Sequence, residues 1–162
     1  MERSETQGHE KKKITEVKTF PVPLISREIK ENIIIHSNTV PKASKPSKEE
    51  LINQAFKYHS QGKISEAAKY YQYLISQGFN DQRVFSNYGV ILKDIGNLKE
   101  AELSTRKAIE LNPDYLNAHL NLGNILKDIG NLKEAEISIR KAIKLKPDYA
   151  EAHYNLGVIL KD

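Results

Sequence analysis

Cysteine is absent from all 162 residues, which removes a disulfide scaffold, a thiolate metal site and a cysteine nucleophile together. A reducing compartment is the expectation. Long apolar runs are missing too: none exceeds three residues, as in Ile33-Ile34-Ile35, far short of the ~20 apolar residues that a membrane-spanning helix needs. Met1 to Lys13 carries charges of both signs with no apolar stretch behind them, so it does not read as a signal peptide. The expected location is therefore cytoplasmic, without membrane association. An excess of one charge is also lacking over most of the chain. The formal net charge is +4, but residues 1–47 hold nine Lys or Arg against six Asp or Glu, and residues 48–162 hold 16 against 15. A basic excess confined to a leader around Lys11-Lys12-Lys13 does not make a nucleic-acid footprint, and nucleic acid is not expected as a partner.

What is present is periodicity. Gly89, Gly123 and Gly157 stand 34 residues apart, as do Gly62, Gly96 and Gly130, and Ala67, Ala101 and Ala135. Residues 91–102 read ILKDIGNLKEAE, and residues 125–136 repeat the string letter for letter. Between residues 82–115 and 116–149, 23 of 34 positions are identical. Self-similarity at such a period marks a stacked array in which each unit covers its neighbour.

Within one unit the pattern is that of two amphipathic helices. Ala118, Leu122, Ile125, Leu126 and Ile129 fall at helical spacing, and Gly130-Asn131 then stops the pattern. Asn131 with Glu134, and Asn97 with Glu100, read as helix caps resembling a capping box. Small residues at Gly123, Ala135 and Ala142 allow the two helices to approach closely, and Pro147 closes the unit. Helices are expected at 48–60, 64–77, 82–95, 98–111, 116–129, 132–145 and 150–161.

The spacing resembles the tetratricopeptide repeat, with Phe85, Tyr88, Gly89, Leu92, Ala101 and Pro113 in one unit and His119, Leu122, Gly123, Leu126, Ala135 and Pro147 in the next. The first unit diverges, with Leu51, Gln54, Ala55, Tyr58, Ala67 and Tyr71 in frame and Phe79 where proline is expected. A fourth supplies His153, Leu156, Gly157 and Leu160 and has a single helix. The resemblance implies an all-α, right-handed solenoid of helical hairpins, about 3.5 repeats, with a concave inner face. The expected organisation is a flexible leader over residues 1–47 and an array over 48–162, divided as 48–81, 82–115, 116–149 and a partial 150–162. Four of the six prolines lie in the leader, and its apolar stretch, Phe20 to Leu24 followed by Glu28 to Ile35, is a candidate docking peptide.

No catalytic constellation stands out, and no cofactor or metal is expected. His119 and His153 occupy one repeat position and cannot converge on an ion, so packing in the place taken by Phe85 accounts for them. Gly96-Asn-Leu-Lys99 lacks the spacing of a phosphate loop and reads as a turn.

The candidate site is the inner face. Asn53, Asn87, Asn121 and Asn155 recur at one point of four successive first helices, and a carboxamide can both donate to and accept from a peptide backbone. In tetratricopeptide proteins this position typically faces the groove, and the resemblance is closest to the asparagine-bearing arrays of O-linked N-acetylglucosamine transferase-like proteins. Lys93, Lys127 and Lys161, with Val90, Asn124 and Val158, would flank the ladder. The clamp that holds chaperone carboxylates needs cations where this chain has Ile52, Ser86, Leu120 and Asn121, so chaperone tails are not expected ligands. The expected function is a non-enzymatic scaffold that binds an extended peptide of a protein partner. Two alternatives stay open: the substrate-recruiting front of a larger glycosyltransferase-like or other modifying enzyme, and self-association through residues 150–162.

Overall fold

A computed structural model describes residues 46–161. The leader expectations, including the Phe20 to Ile35 stretch, and Asp162 lie outside the described residues. Among the described residues there are seven helices and no strand: α1 (Lys48–Ser60), α2 (Ile64–Ser76), α3 (Gln82–Asp94), α4 (Leu98–Leu111), α5 (Leu116–Ile129), α6 (Leu132–Leu145) and α7 (Ala150–Lys161). Two expected ends, 77 and 95, run one residue past the observed ones.

Helix α1 starts on a full capping box that the sequence reading missed. Glu50 N–H donates to Ser47 Oγ at 3.2 Å, and Ser47 N–H returns to Glu50 Oε2 at 2.6 Å. The turns inside each hairpin are built alike. Gly96 and Gly130 take φ of 81° and 88°, a left-handed conformation that costs a side-chain-bearing residue about 1–2 kcal/mol. The next residue then closes a six-to-one bond, Asn97 N–H to Leu92 O and Asn131 N–H to Leu126 O, each at 2.8 Å.

The two expected asparagine caps differ. Asn131 Oδ1 accepts from Glu134 N–H at 3.4 Å, while Glu134 takes the Asn131 side-chain N–H rather than its backbone N–H. Asn97 makes no side-chain cap, contrary to the sequence reading. The cause lies one unit back. Arg106 holds Glu134 beside Asn131, whereas its repeat counterpart Gln72 donates to Tyr88 Oη at 2.8 Å and leaves Glu100 without that tether.

Packing runs along the array as a chain of small cores. Leu51, Ile52 and Ala55 of α1 meet Tyr71 and Leu74 of α2 and Val84 and Ile91 of α3. Leu122 and Leu126 of α5 meet Ala135, Ile139 and Ala142 of α6, and Ala152 and Ile159 of α7. Each fully buried Leu or Ile contributes about 1.5–3 kcal/mol, and every core is shared by successive hairpins, so each unit depends on its neighbour. Helices α3 and α5 also touch directly, as do α5 and α7, which places the first helix of each unit on the inside of the curve.

Candidate functional site

The inner face is lined by α1, α3, α5 and α7, and the recurring asparagines map to one register position on them. Asn53 is exposed; Asn87, Asn121 and Asn155 are half-buried. Burying half a carboxamide is costly unless its polar atoms find partners. Asn121 has one: its Nδ2 donates to Ser86 Oγ of the preceding unit at 3.0 Å, and Ser86 is fully buried. Asn87 lies beside Tyr71 of α2, whose side chain is also fully buried. Burial pushes the Tyr71 phenol well above its usual range, and the Asn87 carboxamide opposes that rise. The pair stops short of hydrogen-bond geometry, so the Tyr71 hydroxyl has no partner among the described residues. Neither Ser86 nor Tyr71 was singled out as part of the site from sequence. The visible hint was polarity: Ser86 stands where the neighbouring units have Ile52 and Leu120.

The flanks are partly neutralised. Lys93 Nζ lies 3.1 Å from Asp94, and Lys127 Nζ lies 3.8 Å from Asp128, with all four side chains between 29% and 39% exposed. Such exposed pairs are worth about 0–1 kcal/mol and leave the lysines free to turn toward a ligand. Asn124 and Val90 sit half-buried one turn before them. At the front, Arg83 is committed elsewhere. Its guanidinium forks onto Glu49 at 2.8 and 2.9 Å and holds Asp81 at 2.9 Å, tying α1 to α3. The side-chain hydrogen bonds from Arg83 hold the carboxyls of Glu49 and Asp81 below the ordinary range, against a smaller opposing effect of burial.

His119 and His153 have structural partners. His119, buried, donates from Nε2 to Pro113 O at 2.7 Å, and His153, exposed, does the same to Pro147 O at 2.7 Å. Each ring ties the start of a first helix to the proline that ended the previous unit.

Among the described residues, no second helix covers α7 as α4 covers α3 and α6 covers α5. A Cβ placed on Gly89 would collide with Thr105, and one on Gly123 with Ile139, because the second helix of the unit lies against that glycine. Nothing lies within 4 Å of the same point on Gly157 among the described residues, and Leu160 is 58% exposed where its counterpart Leu126 is 1%.

Comparison with known proteins agrees with this architecture. No curated protein sequence matches the chain. The chain is similar in structure to the first tetratricopeptide domain of Spaghetti (RPAP3) bound to an HSP90 peptide, with TM-score 0.66 and 24% identity over 68% of this chain and 88% of that one. The second such domain of human RPAP3, in complex with an HSP70 peptide, gives TM-score 0.65 and 23% identity over 69% and 93%. The Thermobaculum terrenum O-GlcNAc transferase gives TM-score 0.67 and 24% identity over 72% of this chain but 23% of that one. At these identities the likeness speaks for the fold. Two models described as "Tetratricopeptide repeat" match residues 82–115 and 105–137, and one described as "TPR repeat" matches 123–162. These matches tile residues 82–162 without a gap, on stacked hairpins of the same period: the chain carries tetratricopeptide repeats.

Proposed function

We propose that the inner face holds an extended segment of a partner protein and that Asn53, Asn87, Asn121 and Asn155 bind its backbone. The observation that carries this reading is the recurrence of one carboxamide at one register position on all four inner helices, half-buried on three of them. A row of identical donor-acceptor groups suits a ligand whose own donors and acceptors repeat, which is a peptide main chain. The lysines Lys93 and Lys127, with Asn124, border the row and add contacts to side chains or carbonyls. In this reading the residues bind and do not catalyse, and the partner is a protein. Chaperone carboxylates are disfavoured as ligands, since Ile52 and Leu120 are buried hydrocarbon where a clamp needs cations.

The test is an Asn87→Ala, Asn121→Ala variant of the full chain, compared with the parent for binding to captured partners. At about 1 kcal/mol per lost hydrogen bond, affinity should fall roughly 10- to 100-fold with the fold intact. Unchanged binding to every captured partner would remove the ladder from the mechanism.

A second reading, pairing of two copies through α7, draws on the open surface around Gly157 and Leu160. It is compatible with the first, because that surface lies at the end of the array rather than along its inner face.

A further inference from the structure

The four rungs of the ladder are not equivalent, because the groups behind them differ from unit to unit. Behind Asn121 stands Ser86, fully buried, whose Oγ receives the Asn121 Nδ2 at 3.0 Å. Behind Asn87 the position of Ser86 is taken by Ile52, and the nearby polar group is instead the buried Tyr71 hydroxyl. That hydroxyl has no hydrogen-bond partner among the described residues, so Asn87 lacks the anchor that Ser86 gives Asn121. Behind Asn155 the corresponding residues are Leu120 and Ile139, both apolar. Thr105, the repeat counterpart of Tyr71 behind Asn121, spends its hydroxyl on Ala101 O at 2.8 Å. Among the described residues, Asn121 is therefore the rung that is hydrogen-bonded to a buried hydroxyl behind it.

We infer that Ser86 is a positioning residue that draws the Nδ2 end of Asn121 into the fold and leaves its Oδ1 facing the groove as an acceptor. The inference rests on the peptide-binding reading and deepens it. A carboxamide with one N–H spent inside turns its oxygen outward, so the Asn121 rung offers an acceptor to a backbone N–H. The partner segment must then present an N–H opposite Asn121. A segment with proline or another N-substituted residue at that point is disfavoured, because the Asn121 Oδ1 would be desolvated without a donor.

The test uses the full chain, 15N-labelled, with the side-chain amide signals of Asn87 and Asn121 as reporters. In the ligand-free protein, Ser86→Ala should shift the Asn121 Nδ2 pair and speed its exchange. Tyr71→Phe, which removes a hydroxyl without a partner among the described residues, should leave the Asn121 pair unmoved, and Ser86→Thr should restore the parent signals. Two probes follow: a 12-residue Ala-Ser-Gln peptide and the same peptide N-methylated at every second residue. The parent should bind the first about tenfold more tightly, and the Ser86→Ala variant should lose most of that discrimination. An Asn121 amide signal indifferent to loss of the Ser86 hydroxyl overturns the inference, and so does equal binding of the two peptides by the parent. If neither peptide perturbs the inner face, the groove reading fails and the inference falls with it.

Discussion

Three glycines at one repeat position give a controlled comparison of packing against helix propensity. Replacing a helical glycine by alanine gains about 1 kcal/mol when the methyl has space. At Gly157 it has space, since nothing lies within 4 Å among the described residues, and α7 should gain about 0.5–1 kcal/mol after allowance for fraying near its end. At Gly123 the new Cβ would overlap the Ile139 side chain, with Cγ1 at 2.5 Å and Ala135 O at 3.3 Å. Ile139 is fully buried and, being β-branched, is stiff at χ1, so α6 must move away from α5 or the side chain must leave its rotamer. Overpacking of this kind costs about 1–3 kcal/mol, and a clash this severe belongs at the upper end. Gly123→Ala should therefore be destabilising by about 2 kcal/mol net, and the two identical substitutions should differ by about 3 kcal/mol. With a urea slope of about 2 kcal/mol/M, their midpoints should lie about 1.5 M apart, on opposite sides of the parent. In an Ile139→Ala background the overlap is gone, and Gly123→Ala should turn neutral or stabilising. A Gly123→Ala midpoint at or above the parent, or a common shift of both variants, would refute the packing argument.

Acid should weaken the array through named carboxylates. The hydrogen bonds from Arg83 lower Glu49 and Asp81, those from Arg106 lower Glu134, and that from Lys141 lowers Asp114. Groups whose folded pKa lies below the unfolded value of about 4 stabilise fully above that pH and lose the contribution as pH falls through the folded value. The thermal midpoint should thus be flat near neutrality and drop below about pH 4, with a smaller drop for Arg83→Met; a midpoint that climbs on acidification would contradict the sign. Leu126→Ala should cost about 2–5 kcal/mol and Leu160→Ala under about 0.5, because the first side chain is 1% and the second 58% exposed. If copies pair through α7, sedimenting mass should rise with concentration, and Leu160→Glu should abolish the rise; a concentration-independent parent would dispose of that reading.

Most of the fold is legible in the sequence because a repeat states its structural requirements several times. A glycine that recurs at 62, 96 and 130 takes a left-handed turn at each, and helix bounds follow from the same punctuation to within a residue. The caps were less legible. Asn97 and Asn131 have the same local sequence, yet only Asn131 caps, since the tether on its glutamate comes from Arg106 in the preceding unit. Local pattern cannot show a partner that is contributed across the stacking interface.

The candidate site divides along the same line. The row of asparagines is visible at once, because it is what the units share. What each asparagine can do depends on where the units differ: Ile52, Ser86 and Leu120 at one position, and Tyr71, Thr105 and Ile139 at another. Those substitutions read as noise around a consensus until the stacking brings each one behind the next unit's asparagine. In a solenoid every inner-face residue is backed by the preceding unit, so a rung's donor or acceptor character is fixed by the neighbour and not by its own repeat. Duplication therefore copies the rungs but not their hydrogen-bonding sense. Exchanging Ser86 for leucine, as in the following unit, should convert an anchored rung into a free one without touching an asparagine.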